Sequence, residues 1–226
     1  EALALLPPAS EVITFGIDQP RAQIGVVSGS VAEGPTRQAA LIVDRHNGGE
    51  HALTLAMPGR HNLANALAAI AGAAAAGVPV AASVAALASF AGLARRFDVI
   101  GTSPGGVTVI DDFGHHPTAL AETLQSFRAR FPSHAIHAAF EPRSNTSRTK
   151  LMQAGFMRAL ALADAVYLGA VARSDKLRAE ERFDADAVIA HLAAQGVRSC
   201  TAATNAELLM ILQRDTALAG DRPRLV

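Results

Sequence analysis

The sequence predicts an α/β fold in which a doubly wound, mostly parallel sheet follows a part that is rich in short strands and helices. Strand-like and helix-like segments alternate from residue 107 onward, and polar clusters follow the apolar runs where strands would end. Half of the 226 residues are hydrophobic, so the chain can bury a sizeable core. We expect two domains, over residues 1–98 and 99–226.

The first part is predicted to be β-rich and then helical. Strand-like runs bounded by turn residues cover 12–17, 23–27, 39–44 and 51–56. The last two runs flank Asn47-Gly48-Gly49, which is typical of a hairpin turn. Pro58-Gly59 then breaks the pattern, and a helix is predicted over 60–76 with Gly77 as its stop. A second helix is predicted over 80–93.

The second part repeats a strand and a helix four times. Residues 101–106 are typical of a hairpin or linker because they are rich in Gly and Pro. The predicted strands cover 107–112, 134–140, 164–171 and 197–202, and the predicted helices cover 117–130, 148–162, 184–195 and 205–214. Thr204 and Glu207 have the spacing of a capping box before the last helix. Residues 224–226 indicate the beginning of another strand.

Loops that follow parallel strands lie at the same edge of a sheet, so three polar loops are expected to converge. These loops are Asp111-Asp112-Phe113-Gly114-His115-His116, Glu141-Pro142-Arg143-Ser144-Asn145-Thr146 and Arg173-Ser174-Asp175-Lys176. The sequence therefore predicts a functional site at the carboxyl edge of the sheet.

Composition excludes several classes of function. The 20 basic side chains balance the 20 acidic ones, so we expect neither a nucleic-acid partner nor binding to an anionic membrane. Polar and Gly or Pro residues interrupt the Ala-rich run over 63–94, which favours two soluble helices over a membrane span. The single cysteine, Cys200, fits a reducing compartment, so we expect a cytoplasmic protein.

The sequence also lacks two familiar catalytic motifs. It contains only two lysines and no G-x-x-x-x-G-K-[ST] loop for ATP phosphates, and no G-x-S-x-G elbow for a nucleophilic serine. The chain opens on Glu1 and ends where a strand begins. We therefore expect it to be a catalytically incomplete part of a longer protein.

Each candidate cluster has a structural alternative. Asp111, Asp112, His115 and His116 could bind a divalent metal, as in a phosphoesterase. Alternatively, one acid caps a helix and one histidine bonds to the backbone. Our preferred interpretation is that these residues do not bind a metal.

Two further groups of residues also allow both a functional and a structural interpretation. His61, Asn62 and Asn65 share the first turn of a predicted helix and could hold a planar heterocycle, or Asn62 could simply cap the helix. Arg143 could bind a carboxylate or phosphate, or could be a solvated surface residue.

Three ordered motifs resemble the ATP-dependent Mur ligases of peptidoglycan synthesis. They are Pro58-Gly59-Arg60-His61-Asn62 with Asn65, then Arg95-Arg96-Phe97, then Asp111-Asp112-Phe113-Gly114-His115-His116-Pro117-Thr118. Phe113 stands where many relatives have Tyr. Within this family, residues 140–146 are most similar to the murein peptide ligases.

The resemblance implies that 1–98 is part of a central ATP-binding domain and 99–226 a Rossmann-like C-terminal ligase domain. It implies ATP and Mg²⁺ as cofactors. The reaction would join UDP-N-acetylmuramate to the murein tripeptide L-alanyl-γ-D-glutamyl-meso-diaminopimelate through an acyl phosphate, in cell-wall recycling. Addition of L-alanine is the alternative within the family. The oligomeric state stays open.

The resemblance also assigns residue roles. His61, Asn62 and Asn65 would contact adenine, while Arg96 and Asp112 would contact ribose and phosphates from opposite sides of a domain hinge. His115 would lie near the reacting phosphate, with Asp112 as the other catalytic residue. The incoming peptide would bind at Arg143, Ser144, Asn145 and Thr146, with Arg143 on its carboxylate.

Overall fold

A computed structural model describes residues 7, 10–34, 36–171, 177–217 and 222–226. The chain divides into two compact units, Glu1–Gly92 and Leu93–Val226. The sequence suggested a division at residue 98, whereas the structure has it farther upstream. The reason is that the segment before residue 98 bonds to the second unit. Phe113 N donates to Arg95 O at 2.8 Å, and Phe97 N donates to Asp112 Oδ2 at 3.3 Å.

The first unit contains a five-stranded sheet and two helices. β1 and β2 are parallel, and β4 pairs antiparallel with β2, β3 and β5. The elements are β1 Phe15–Gly16, β2 Ile24–Val26, β3 Ala32–Glu33, β4 Gln38–Asp44, β5 Glu50–Leu55, α1 Arg60–Ala75 and α2 Val80–Ala88. The predicted hairpin before residue 56 is confirmed, whereas β3 was not predicted.

The helix predicted to run to residue 93 ends five residues earlier, at Ala88. Ser89 ends it, because its backbone N–H and its hydroxyl both donate to Ala86 O. The core of this unit is the packing of the sheet against the helices. Ile42 of β4 and Leu63, Leu67 and Ile70 of α1 are essentially inaccessible to solvent, and the helix residues recur at the spacing of one helix face. No helix in the described ranges is long and apolar enough to cross a membrane.

The second unit is a six-stranded sheet of order β10-β9-β8-β11-β7-β6, in which only the edge strand β6 is antiparallel to its neighbour. Its strands are β6 Asp98–Thr102, β7 Val107–Asp111, β8 Ala135–Phe140, β9 Ala165–Leu168, β10 Arg198–Thr201 and β11 Arg224–Leu225. Its helices are α3 Pro117–Arg130, α4 Gln153–Leu160, α5 Ala185–Ala194 and α6 Asn205–Ala217. The predicted α/β class with a mostly parallel sheet is confirmed.

Helices cover both faces of this sheet. Strand β9, which lies between β10 and β8, is buried throughout, as expected for a strand between two helical layers. Val166 and Leu168 belong to the large core formed with α3, α4 and α5. Tyr167, which points to the opposite face, packs with Leu208 of α6.

Candidate functional site

The carboxyl end of β7 carries two adjacent aspartates with different surroundings. Asp112 is enclosed: its Oδ1 accepts from Gly114 N at 2.7 Å, its Oδ2 accepts from Phe97 N, and Arg96 Nη1 lies 3.5 Å from Oδ1. Asp111 Oδ2 instead pairs with Arg95 Nε at 2.8 Å. Asp112 therefore ties the entry of the second unit to the loop after β7.

Arg96 and Asp112 lie in the same unit and form an ion pair. The sequence suggested a domain boundary between these two residues, whereas the structure has both in the second unit; their contacts to a ligand stay a prediction. The difference arises from the position of the boundary, which lies before Arg95 and not after Arg96.

The Arg95-Arg96-Phe97 segment has a constrained backbone. Arg95 and Phe97 have φ angles of 60° and 55°, a region that residues with side chains rarely adopt. Phe97 is anchored by its ring, whose centroid lies 4.6 Å from that of Phe127. The guanidinium carbons of Arg95 and Arg96 lie 5.1 Å and 5.9 Å from the centre of the exposed Phe113 ring. This places two cations on one aromatic side chain at the site.

The two histidines of this loop are held as opposite tautomers when neutral. His115 Nδ1 lies 3.2 Å from Phe113 O, and because a carbonyl only accepts, Nδ1 must carry the proton. His116 Nδ1 accepts from Thr118 N at 3.3 Å and caps α3, so its proton is on Nε2. His115 is exposed and presents an unprotonated Nε2, whereas His116 has a structural role.

These contacts remove the divalent-metal interpretation of Asp111, Asp112, His115 and His116. Both acids are engaged by arginines, and both histidines are engaged by the backbone. Within the described ranges, no group of three or more His, Cys, Asp or Glu side chains could hold a metal ion. In the described ranges, these four side chains are therefore not arranged as the metal-ligand set that the phosphoesterase alternative needs.

The start of α1 holds the predicted adenine contacts. Gly59 precedes the helix with φ 108°, a conformation that favours glycine. Asn62 Nδ2 donates to Pro58 O at 2.9 Å, which is the local capping role considered from the sequence. Its Oδ1 accepts no hydrogen bond from the described part of the chain. Asn65 is exposed, and His61 is half-buried.

The loop after β8 is a compact turn. Ser144 Oγ accepts from Ser147 N at 3.1 Å, and the buried Ser147 Oγ accepts from Ser144 N at 2.9 Å. Asn145 Oδ1 accepts from Arg148 Nη2 at 3.1 Å. Two of the four side chains predicted to bind substrate therefore stabilise their own loop.

The other two side chains of that group are available. Arg143 and Thr146 are exposed, and neither side chain forms an ion pair or hydrogen bond with the residues that the structure describes. Within the described ranges, no carboxylate neutralises the Arg143 guanidinium, which lies on a loop braced by Ser144 and Ser147. Such a fork matches a carboxylate or phosphate.

Of the loops predicted to converge at the sheet edge, those after β7 and β8 lie farther apart than expected. β11 lies between β7 and β8, so the ends of those two strands are about 10 Å apart at the usual strand spacing. The loops after β8 and β9 do meet: a side chain at Gly169 would lie 2.9 Å from Asn205 Oδ1 and 3.4 Å from Glu141 Cβ. The predicted third loop, Arg173-Ser174-Asp175-Lys176, lies outside the described residues.

A second polar cluster lies beneath α6 and was not predicted. Tyr167 OH donates to Asp215 Oδ2 at 3.1 Å, accepts from Arg198 Nη2 at 3.3 Å, and lies 3.4 Å from His137 Nδ1. Burial raises the pKa of Tyr167 to about 12. Burial, then the charges of Arg198 and Arg224, lower the pKa of His137. A neutral His137 and a neutral Tyr167 therefore brace this face of the sheet.

Sequence reasoning also missed residues that hold the site in place. Arg95 belonged to a motif but was given no role, and Ser147 was not singled out. Gln38, far from the motif at α1, donates to the turn before that helix. A buried polar residue at the start of a strand is a weak signal, because its partner cannot be read from the sequence.

The site residues fit a nucleotide base better than a metal. The free Oδ1 of Asn62 could accept from an exocyclic amino group, which suits adenine. No acidic cluster in the described ranges suits Mg²⁺, and the sequence has no loop for ATP phosphates.

Comparison with known proteins identifies the family. The family described as Mur ligase, glutamate ligase domain, matches residues 95–222. A UDP-N-acetylmuramate–L-alanine ligase from Acidithiobacillus ferrooxidans is 46% identical over 114 residues, which cover 50% of this chain and 24% of that protein. The corresponding ligase from Methylibium petroleiphilum is 39% identical over 176 residues, covering 74% of this chain and 37% of that protein.

Solved structures share the fold over nearly the whole chain. UDP-N-acetylmuramate–alanine ligase from Thermotoga maritima has a TM-score of 0.66 at 24% identity, covering 94% of this chain and 43% of that chain. A murein peptide ligase from Psychrobacter arcticus has a TM-score of 0.67 at 25% identity, covering 94% and 42%. The chain thus spans less than half of each of these proteins. Because the family match covers more than half of its residues, the chain belongs to the Mur ligase family.

Proposed function

We propose that this chain provides part of an ATP-dependent amide ligase that joins UDP-N-acetylmuramate to the free amine of an acceptor carrying a carboxylate. The observation that carries this proposal is the exposed guanidinium of Arg143, which has no partner among the described residues. It lies on a braced loop at the carboxyl edge of a parallel sheet. In such sheets this edge is where substrates bind. Arg143 would grip the acceptor carboxylate through two parallel N–H···O bonds.

The first unit would supply the contacts to the nucleotide base. We propose that it is part of an ATP-binding domain and that the second unit is the ligase domain. Asn62 would use its free Oδ1 for the adenine amino group, with His61 and Asn65 beside it. Holding Nδ2 at Pro58 O fixes the orientation of the amide, so that Oδ1 faces outward.

The loop after β7 would serve the reacting groups. His115 presents an unprotonated Nε2 that can accept a proton or hydrogen bond. Arg96, oriented by Asp112, would contribute a positive charge toward the ribose and phosphates. The chemistry of the family, activation of a carboxyl group as an acyl phosphate followed by attack of an amine, depends on positioning and charge. That dependence explains why no nucleophilic motif is needed.

Two acceptors are consistent with this arrangement. Residues 140–146 support the murein tripeptide L-alanyl-γ-D-glutamyl-meso-diaminopimelate, because they resemble the murein peptide ligases. The two curated relatives described above, at 46% and 39% identity, are named as L-alanine ligases and support L-alanine. Both acceptors combine a free α-amine with a carboxylate that Arg143 could bind. We favour the tripeptide and keep L-alanine as the second candidate.

A ligation assay separates the two acceptors. The full-length gene product is incubated with ATP, Mg²⁺, UDP-N-acetylmuramate and either acceptor, and product mass and phosphate release are measured. We expect amide product with the tripeptide, and phosphate release that depends on it. Product with L-alanine but not with the tripeptide would make L-alanine the assigned acceptor. No product with either acceptor would refute the proposal.

Arg143→Ala tests the role of the loop. Acceptor KM should rise about 100-fold, which corresponds to loss of a charged, bidentate contact, while the KM for ATP stays nearly constant. Arg158→Ala is the matched control, because Arg158 is also an exposed arginine but lies on α4. Equal effects of the two substitutions would remove Arg143 from the acceptor site.

A further inference from the structure

Gln38 is a buried polar residue that the proposed reaction does not use directly. It is the first residue of β4 and is only 2% exposed. It lies in the row of β4 side chains that alternates into the core, ahead of Ala40 and Ile42. An apolar side chain would be the usual occupant of such a position.

The carboxamide of Gln38 binds the turn that precedes α1. Its Nε2 donates to Met57 O at 2.7 Å and to Gly59 O at 3.0 Å. Pro58 O, between them, accepts from Asn62 Nδ2 at 2.9 Å. Three successive carbonyl oxygens are therefore held by two side-chain amides, in a turn whose Gly59 has φ 108°.

The other end of the same carboxamide is not compensated. Gln38 Oε1 is inaccessible to solvent and accepts no hydrogen bond from the described residues. The amide cannot be flipped to relieve this, because both of its partners are carbonyl oxygens, which only accept. Burying an acceptor without a donor is unfavourable, so the two bonds that Nε2 donates must offset this cost. The residue is explained by what its two donated bonds hold in place.

We propose that Gln38 is a positioning residue for recognition of the nucleotide base. By fixing Met57 O and Gly59 O it sets the direction of Pro58 O, which in turn orients the Asn62 amide so that Oδ1 can accept from an exocyclic amino group. This inference rests on the proposed role of Asn62 in adenine binding. It predicts that a substitution in the core, remote from the ligand, changes which base is bound.

The test measures binding of ADP and GDP to the full-length gene product by titration calorimetry. Guanine presents a carbonyl oxygen where adenine has an amino group, so Asn62 Oδ1 should favour ADP. Gln38→Met keeps the length of the side chain but removes the donor. Gln38→Glu is a second variant, which keeps the shape but replaces the donating NH₂ by an acceptor oxygen. Gln23→Met is the control, because Gln23 also binds the backbone of the first unit, accepting from Thr14 N at 2.9 Å.

We expect Gln38→Met and Gln38→Glu to weaken ADP binding about tenfold, the scale of two lost neutral hydrogen bonds, and to reduce the preference for ADP over GDP. Gln23→Met should leave both affinities unchanged. In the Asn62→Ala background, Gln38→Met should have no further effect on ADP affinity, because its influence passes through Asn62.

Several results would overturn the inference. These are unchanged ADP affinity and base preference in a folded Gln38 variant, full additivity with Asn62→Ala, or equal binding of ADP and GDP by the wild type. Failure of the ligase proposal is distinguishable: a gene product that binds ADP selectively through Gln38 and Asn62 but forms no amide would refute the reaction and retain this inference.

Discussion

The adjacent aspartates at the end of β7 should differ sharply in their contribution to stability. In Asp112→Asn, one oxygen can still accept from Gly114 N, but an amide N–H₂ then faces the N–H of Phe97, and the charge opposite Arg96 is lost. Bonds from the backbone to a buried carboxylate are stronger than neutral ones, and the Asp112 side chain is only 13% exposed. We expect the free energy of unfolding to fall by about 2 kcal/mol.

Asp111→Asn is the matched comparison. Its partner Arg95 is 59% exposed and Asp111 itself 35% exposed, so solvent screens the pair and its loss should cost only about 0.5 kcal/mol. Urea unfolding followed by circular dichroism gives both values from the shift in midpoint at constant slope. If Asp111→Asn destabilised the protein as much as Asp112→Asn, the distinction drawn from burial and backbone contacts would be refuted.

Four further predictions concern the second unit. Tyr167 is the sole tyrosine, and there is no tryptophan, so its phenolate absorbance should titrate near its raised pKa of about 12 in the folded protein and near about 10 in urea; a folded midpoint near 10 would contradict its burial beneath α6. His116→Ala should cost about 1 kcal/mol in urea unfolding through loss of the α3 cap, and His116→Ser should restore most of it. Gly155→Ala should lower the melting temperature despite better helix propensity, because its Cβ would lie 2.9 Å from the rigid ring of Pro117; a rise would show that α3 and α4 separate easily. Although burial opposes it, bonds from the Ile136 N–H and Arg128 lower the pKa of Asp164 below its ordinary value of 3.8. The stability gap between wild type and Asp164→Asn should therefore shrink as pH falls below that value and through the pKa of the folded protein; a constant gap would refute this linkage.

The sequence predicted most of the second unit well because its elements follow local rules. α3 begins at Pro117 and ends at Arg130 as predicted, since proline suits the first turn of a helix. Thr204 Oγ1 accepts from Glu207 N at 3.2 Å, as one half of the predicted capping box. The family resemblance is likewise confirmed by the match over residues 95–222.

Other features depend on contacts between distant parts of the chain and could not be predicted. The helix expected from residue 148 begins at Gln153, because Thr149 forms an extended bridge with Arg182 and Lys150–Met152 form a short 3-10 helix. Strand β6 itself was not predicted, although it pairs antiparallel with β7 and so forms the hairpin that residues 101–106 suggested. The sequence did suggest that either histidine of the β7 loop could bond to the backbone, but it could not say which one remains available.

The roles assigned to individual site residues stay predictions. Periodicity placed Asn62 at a helix start, yet only the coordinates show which end of its amide is occupied. Arg143 was predicted as an anion-binding residue, and its lack of a described partner is consistent with that role. Ser144 and Asn145 show the opposite outcome, because polar loop residues often stabilise their own turn.

The position of β11 has a consequence for how the second unit assembles. β7 and β8 are not paired with each other, and residues 223–226 lie between them. Arg224 and Leu225 pair with both strands, Val226 bonds to β7, and Pro223 bonds to β8. Before these residues near the end of the chain are in place, the sheet consists of two separate blocks. One block is β6 with β7, and the other is β8 with β9 and β10. Joining them closes loops of roughly 90 and 115 residues, and such distant pairing slows folding. The last step of folding is therefore expected to be the one that brings the loop of Asp112 and the loop of Arg143 onto a common edge.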